Sequence, residues 1–172
     1  LCLVDVTGRT YAVGDVDVLF TIMSVAKPFV FALVCSTLGP DEARARVGVD
    51  ATGLPFNSLE AVERSADGRT NPMVNSGAIA TTSFVPGASP EEKWDAIAGC
   101  LSAFAGRELS LDAETYASAS ESNHRNRALA RLLQSFGRLG CDPDEALDLY
   151  TRQSSLAVTA RDLAVMGATL AD

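Results

Sequence analysis

Ser24 and Lys27 stand three residues apart at the head of the apolar run Pro28-Phe29-Val30-Phe31-Ala32-Leu33-Val34-Cys35. On a helix of about 3.6 residues per turn, positions three apart share a face, so the amine can reach the hydroxyl. A lone lysine in apolar surroundings loses hydration, which disfavours the ammonium and lowers its pKa toward a usable free amine. The neutral amine then accepts the serine proton and makes Ser24 a nucleophile. The same residues also fit the plain start of a core helix whose lysine snorkels to the surface, and an S-x-x-K spacing is weak without context.

The surrounding elements decide whether the pair can be positioned. Pro28 lacks the N–H that a helix interior needs, so the helix must begin close to Ser24. That places the hydroxyl in the first turn, where unpaired N–H groups favour developing negative charge. Upstream, Cys2 to Val6, the turn Thr7-Gly8-Arg9 and Tyr11 to Val13 predict a hairpin, and a short strand near Val18-Leu19-Phe20 leads to the serine. From Gly48 to Asn75 the chain is rich in Gly, Pro, Asn and Ser. Residues 52–58 and 71–77 read there as turn-like segments around a short helix at Leu59–Glu63.

Helical patterns follow. Ser89-Pro90-Glu91-Glu92 is a capping box ahead of a face made by Trp94, Ile97, Ala98, Leu101 and Phe104. Asp142-Pro143-Asp144-Glu145 starts a helix carrying Leu147 and Tyr150. Thr159-Ala160-Arg161-Asp162 caps a last one carrying Leu163, Val165, Met166 and Leu170. The expectation is one helical body with a scrap of sheet at its start, since two short strands do not make a stable sheet alone.

At 172 residues the chain has the size of one domain, with 47% hydrophobic and 21% charged residues. A formal net charge of −8 and scattered arginines argue against a nucleic-acid partner. Cys2, Cys35, Cys100 and Cys141 lack C-x-x-C spacing and read as reduced, small hydrophobes. No basic leader with an apolar h-region and no bilayer-length apolar run is present, which favours the cytoplasm and no membrane partner. The single histidine, His124, has no partners at metal-ligand spacing and reads as solvent-facing, so no metal is expected. Nucleotide cradles of the G-x-G-x-x-G or Walker type are absent too.

Taken together, several ordered segments resemble the serine-dependent glutaminases, which have the α+β fold of the β-lactamase and DD-peptidase (penicillin-recognising) hydrolases. The segments are Ser24-Val25-Ala26-Lys27-Pro28, Val47-Gly48 through Gly53-Leu54-Pro55-Phe56-Asn57, and Asn71-Pro72-Met73-Val74-Asn75-Ser76-Gly77-Ala78-Ile79. Arg125-Asn126, Leu147-Asp148-Leu149-Tyr150 through Val158-Thr159, and Asp162 through Ala171 complete the set. The resemblance implies that Ser24 attacks the side-chain amide of glutamine, Lys27 takes its proton, ammonia leaves, and water cleaves the glutamyl ester. It also implies that Asn75, Asn126 and Tyr150 hold the substrate's carboxylate and amino group, that no cofactor is used, and that the protein forms homodimers or homotetramers. Amide NH₂ groups and a phenol suit such a site because they donate without adding charge. Asn57 and Asn71 are expected to shape loops only.

The resemblance also has breaks. Family members carry glutamine where this chain has Met23, and a glutamate for the substrate's α-ammonium where it has Ala119. Glu121, two positions on, is about 200° around the helix and a poor substitute. Residues 1–172 read as a partial catalytic domain, mainly the helical subdomain with an incomplete antiparallel sheet, and the segment alone is expected to release no ammonia. Three functions stay open: a glutaminase, a catalytically silent binding or oligomerising relative, and a serine hydrolase of another amide lacking an α-amino group.

Overall fold

The computed structural model describes residues 1–171, so the last residue of the expected domain, Asp172, lies outside the described residues. The chain opens with the expected hairpin, β1 (Cys2–Val4) antiparallel to β2 (Thr10–Ala12), with Leu3 opposite Tyr11. Gly8 takes φ +82° in its turn, and the Asp5 carboxylate accepts from the N–H groups of Thr7 and Arg9. The strand expected near Val18-Leu19-Phe20 forms later and shorter, as β3 (Phe20–Thr21). Its partner explains the shift. β3 pairs with β5 (Leu156–Val158), which in turn pairs with β4 (Ser110–Leu111), so register with a distant strand rather than local propensity sets its limits.

A 3₁₀ turn, Met23–Ala26, runs directly into α1 (Lys27–Leu38), with Pro28 in the tolerated first turn of the α-helix. α2 (Pro40–Val47) and the short α3 (Glu60–Glu63) follow, then α4 (Asn75–Ser83) and α5 (Pro90–Ala105). The second half holds α6 (Ala113–Ser122), α7 (His124–Ser135), α8 (Pro143–Ser154) and α9 (Ala160–Ala171). Two of the expected caps are made by side chains. Ser89 accepts from Glu92 N–H at 3.2 Å, while Thr159 and Asp162 exchange bonds at 3.1 and 2.7 Å. Of the last helix's expected core residues Met166 is fully buried, but Leu170 is exposed, one residue from the helix end.

Residues 71–77 depart from the turn-like expectation. Asn71–Val74 form a turn, and Asn75 is the first residue of α4, every residue of which is buried. Asn, Ser, Gly and Thr mimic loop composition. Here they let a helix pass close to its neighbours, and the hydroxyls of Thr81 and Thr82 satisfy themselves on carbonyls four residues back. At Gly77 a Cβ would lie 1.9 Å from the Asn71 carbonyl oxygen, so only glycine fits.

Two apolar clusters result. One gathers Phe29, Val30 and Val34 of α1 with Ile97 and Leu101 of α5, Leu156 and Val158 of β5, and Met166 of α9. The other packs Ile79 of α4 against Leu129 and Leu133 of α7 and Leu147 and Tyr150 of α8. α1 and α4 lie against each other between them, and that junction carries the polar site. The four cysteines are half-buried and unpaired, and His124 is exposed. Among the described residues no single helix is long and apolar enough to cross a membrane.

Candidate active site

The backbone is strained immediately before Ser24. Met23 adopts φ +50°, which among the described residues no other non-glycine residue does above zero, at a cost on the order of 1–3 kcal/mol. The kink leaves Ser24 exposed on the 3₁₀ turn while Lys27, one turn on, points inward with only 4% of its surface accessible. Burial of that kind needs acceptors. Lys27 Nζ donates to the Met73 carbonyl at 3.1 Å and to Asn75 Oδ1 at 2.8 Å, and the Phe56 ring lies 5.7 Å from it.

A line of amides continues from the lysine. Asn75 Oδ1 also accepts from the Tyr150 phenol at 3.2 Å, and Asn75 Nδ2 donates to Asn126 Oδ1 at 2.9 Å. Asn126 Nδ2 donates to Asn123 Oδ1 at 2.6 Å, Asn123 Nδ2 to Thr151 Oγ1 at 2.8 Å, and Thr151 to the Leu147 carbonyl at 2.8 Å. An ammonium can only donate, so it fixes which end of Asn75 is oxygen. That choice orients each amide after it in turn.

Burial pushes the Lys27 ammonium down to about 8. The direction is the expected one, yet a pKa near 8 leaves only about one amine in ten neutral at pH 7. The two acceptors at the nitrogen, the Met73 carbonyl and Asn75 Oδ1, are ones an ammonium can donate to. Burial pushes the Tyr150 phenol up to about 12, with the Ser24 hydroxyl offsetting part of the rise. Tyr150 is therefore a neutral O–H group at physiological pH, and the lysine is the group whose free base is accessible.

Ser24, Asn126 and Tyr150 line one cleft of about 160 Å³ together with Met23, Ala119 and Asn123. Lys27 and Asn75 do not line it; Asn75 bonds two of the lining residues, Asn126 and Tyr150, and links Lys27 to them. All five residues expected from the sequence are thus brought together, from the 3₁₀ turn, α1, α4, α7 and α8. Among the described residues no hydrogen bond joins Lys27 Nζ to Ser24 Oγ. Catalytic hydrogen bonds often tighten only once substrate is bound.

Asn71 behaves as the loop-shaping residue expected, accepting from Met73 N–H and donating to the Asp50 carbonyl, both at 3.0 Å. The Asn57 carbonyl is held by Arg125 Nε at 2.6 Å, so the residue beside Asn126 pins the loop that carries Phe56. Asn123 and Thr151 were not singled out from sequence. The available signal was Asn123 three residues before Asn126, a spacing that meets across one helical turn.

A helix-rich body backed by short antiparallel strands, with a serine on the turn before its buried first helix, is the arrangement of the β-lactamase-like α+β class. The chain belongs to the glutaminase family, whose family model matches residues 1–172. It is 63% identical over 172 residues to a protein of Yersinia pestis named Glutaminase 2, covering all of this chain and 51% of that protein. A glutaminase of Brucella abortus is 50% identical over 171 residues, covering 99% and 54%. Among solved structures, the probable glutaminase ybaS superposes with TM-score 0.96 at 41% identity, over 99% of this chain and 55% of that one. A Bacillus glutaminase gives TM-score 0.94 at 33% identity, over 99% and 57%. The chain spans about half the length of the curated relatives it matches.

Proposed function

We propose that this chain carries the nucleophile-bearing part of a serine amidohydrolase that converts L-glutamine to L-glutamate and ammonia. Ser24 Oγ attacks the side-chain amide carbon as the free amine of Lys27 takes the hydroxyl proton. That proton then leaves with the amide nitrogen as ammonia, and water hydrolyses the resulting ester to free Ser24 again. Asn126 and Tyr150 meet the substrate's polar groups from the cleft wall, while Asn75 holds the lysine and aligns both of them. The reaction needs no metal or organic cofactor.

The observation that carries this reading is an exposed serine in a cleft lined by Asn126 and Tyr150, with a lysine only 4% accessible one turn on from it and joined to that lining through Asn75. The membership of the glutaminase family supports the substrate. That membership also supports a cytoplasmic homo-oligomer acting on a small molecule, with neither nucleic acid nor membrane as partner. The test is labelling of the whole protein with an electrophilic glutamine analogue, read by mass spectrometry. The expected result is one adduct, on Ser24, lost in Ser24→Ala together with glutamine-dependent ammonia release; an adduct elsewhere with ammonia release intact in Ser24→Ala refutes the assignment.

A further inference from the structure

The amide line that starts at Lys27 has one sense from end to end. Lys27 Nζ donates to Asn75, Asn75 to Asn126, Asn126 to Asn123, Asn123 to Thr151, and the Thr151 hydroxyl to the Leu147 carbonyl. An ammonium can only donate and a backbone carbonyl can only accept, so the two ends agree on a single direction. Reversing any amide between them would set donor against donor on one side and acceptor against acceptor on the other.

Asn123 stands where an asparagine ordinarily caps a helix. It is the residue before α7, and its side-chain oxygen would be expected to accept from a backbone N–H of the first turn. It makes no such bond. Oδ1 accepts instead from the side chain of Asn126, the third residue of that helix, at 2.6 Å, while Nδ2 goes to Thr151 at 2.8 Å. α7 thus forgoes a cap, and both ends of the Asn123 amide are committed to the line. Thr151 is buried beside Tyr150 on α8, and a hydroxyl that receives one donor while giving its proton to a carbonyl is what a terminal link requires. Both residues border the cleft beside Ser24.

We propose that Asn123 and Thr151 are positioning residues of the glutamine site: they anchor the far end of the amide line and hold Asn126 in the orientation that offers the substrate a donor N–H. The inference rests on the reading of this cleft as the place where glutamine binds. With its oxygen taken by Asn75 and one N–H by Asn123, the Asn126 amide has one N–H left, and a substrate carboxylate needs a donor. A reversed Asn126 would turn an acceptor toward it. Successive bonds in a buried chain polarise one another, so loss of the Thr151 link is felt at Asn126. Lys27 keeps its own contacts to Asn75 and the Met73 carbonyl, and Asn75 keeps Tyr150. The effect therefore falls on substrate binding more than on the chemical step.

The experiment measures ammonia release from L-glutamine by the full-length protein and by its Thr151→Val, Thr151→Ser and Asn123→Ala variants, with glutamine binding to each in a Ser24→Ala background followed by calorimetry. Thr151→Val, which matches threonine in shape but lacks the hydroxyl, is expected to raise KM by about tenfold or more with a much smaller change in kcat, and to weaken binding to the same extent. Thr151→Ser, which restores the hydroxyl, is expected to recover most of that loss. Asn123→Ala breaks the same line, so combining it with Thr151→Val should cost no more than the larger single loss. Because the Asn123 side chain caps nothing, its alanine variant also carries the test if the valine variant does not fold. A fall in kcat with KM unmoved is what a merely structural role would give and overturns the inference, as do losses that multiply in the double variant or a serine variant as impaired as the valine one. Ammonia release that persists in Ser24→Ala, with glutamine binding still weakened by Thr151→Val, refutes the nucleophile and leaves the inference standing; no glutamine binding to any of the proteins overturns both.

Discussion

Asn75 Oδ1 accepts from Lys27 Nζ at 2.8 Å and from the Tyr150 phenol at 3.2 Å, so a single amide oxygen ties the buried amine to the wall of the cleft. Both partners donate, which makes this oxygen the reference point for the amide line running through Asn126 and Asn123 to Thr151. Replacing it by a carboxylate changes charge with little change of shape. Asn75→Asp puts a negative group beside the ammonium, which raises a lysine's pKa by about 1–3 units at such distances. In the whole protein, the acid limb of the kcat/KM profile is expected to move up by at least one unit, with activity at pH 7 falling tenfold or more. An unmoved limb would mean that Lys27 is not the titrating base.

The same burial has a signature in stability. Lys27 titrates near 8 in the folded chain and near 10.5 when exposed, so between those values the unfolded state binds more protons. Stability must therefore rise with pH across that window. Below pH 8 both states are charged, and the folded state bears the full cost of the buried ammonium, on the order of 3 kcal/mol for a shift of this size. Lys27→Met removes the charge at similar volume. It is expected to be more stable than the parent at pH 7 and inactive, with the advantage shrinking as pH climbs from 8 toward 10.5. Denaturant titrations of both proteins at several pH values measure it; a constant difference would show that Lys27 is not desolvated.

Gly77 pits helix propensity against packing. An exposed helical Gly→Ala substitution gains roughly 0.5–1 kcal/mol. Here the added Cβ would lie 1.9 Å from the Asn71 carbonyl oxygen, which is backbone and cannot swing aside. Packing wins, and Gly77→Ala is expected to destabilise by about 3 kcal/mol or more and to disturb the turn at Met73 whose carbonyl receives Lys27. A thermal melt within 2 °C of the parent would contradict this.

Which parts of this site could be read from the sequence follows from the range of the forces involved. Ser24 and Lys27 were legible because one helical turn relates them, and the caps at Ser89 and Thr159 because capping is a matter of three residues. β4 and β5 were not foreseen. Each is two or three residues long, and they exist only through pairing: β4 with β5, and β5 also with β3, more than a hundred residues away. α4 was obscured for a different reason, since its Asn-Ser-Gly-Thr composition is that of a loop until burial on all sides is known. Ala119 was marked by resemblance alone, and only the structure places it on the cleft wall beside Asn126.

Gln153 supplies a last test, away from the cleft. Its side chain is fully buried; Oε1 accepts from the Thr82 hydroxyl at 3.1 Å, but Nε2 finds no acceptor among the described residues. An unsatisfied buried donor costs about 1–3 kcal/mol, more than one neutral hydrogen bond returns. Thr82 does not depend on this contact, because its one hydroxyl proton has an alternative acceptor in the Ala78 carbonyl at 2.9 Å. Methionine matches glutamine in length and fits irregular core space. Gln153→Met is therefore expected to stabilise the fold by about 1 kcal/mol, seen as a rise of roughly 2–4 °C in Tm for a chain of this size. Gln153→Glu keeps the shape but buries a charge between α4 and α8, and is expected to lower Tm at pH 7 and recover part of the loss near pH 4 as the carboxyl protonates. If the methionine variant melted below the parent, Nε2 would have to be making a bond that outweighs its burial.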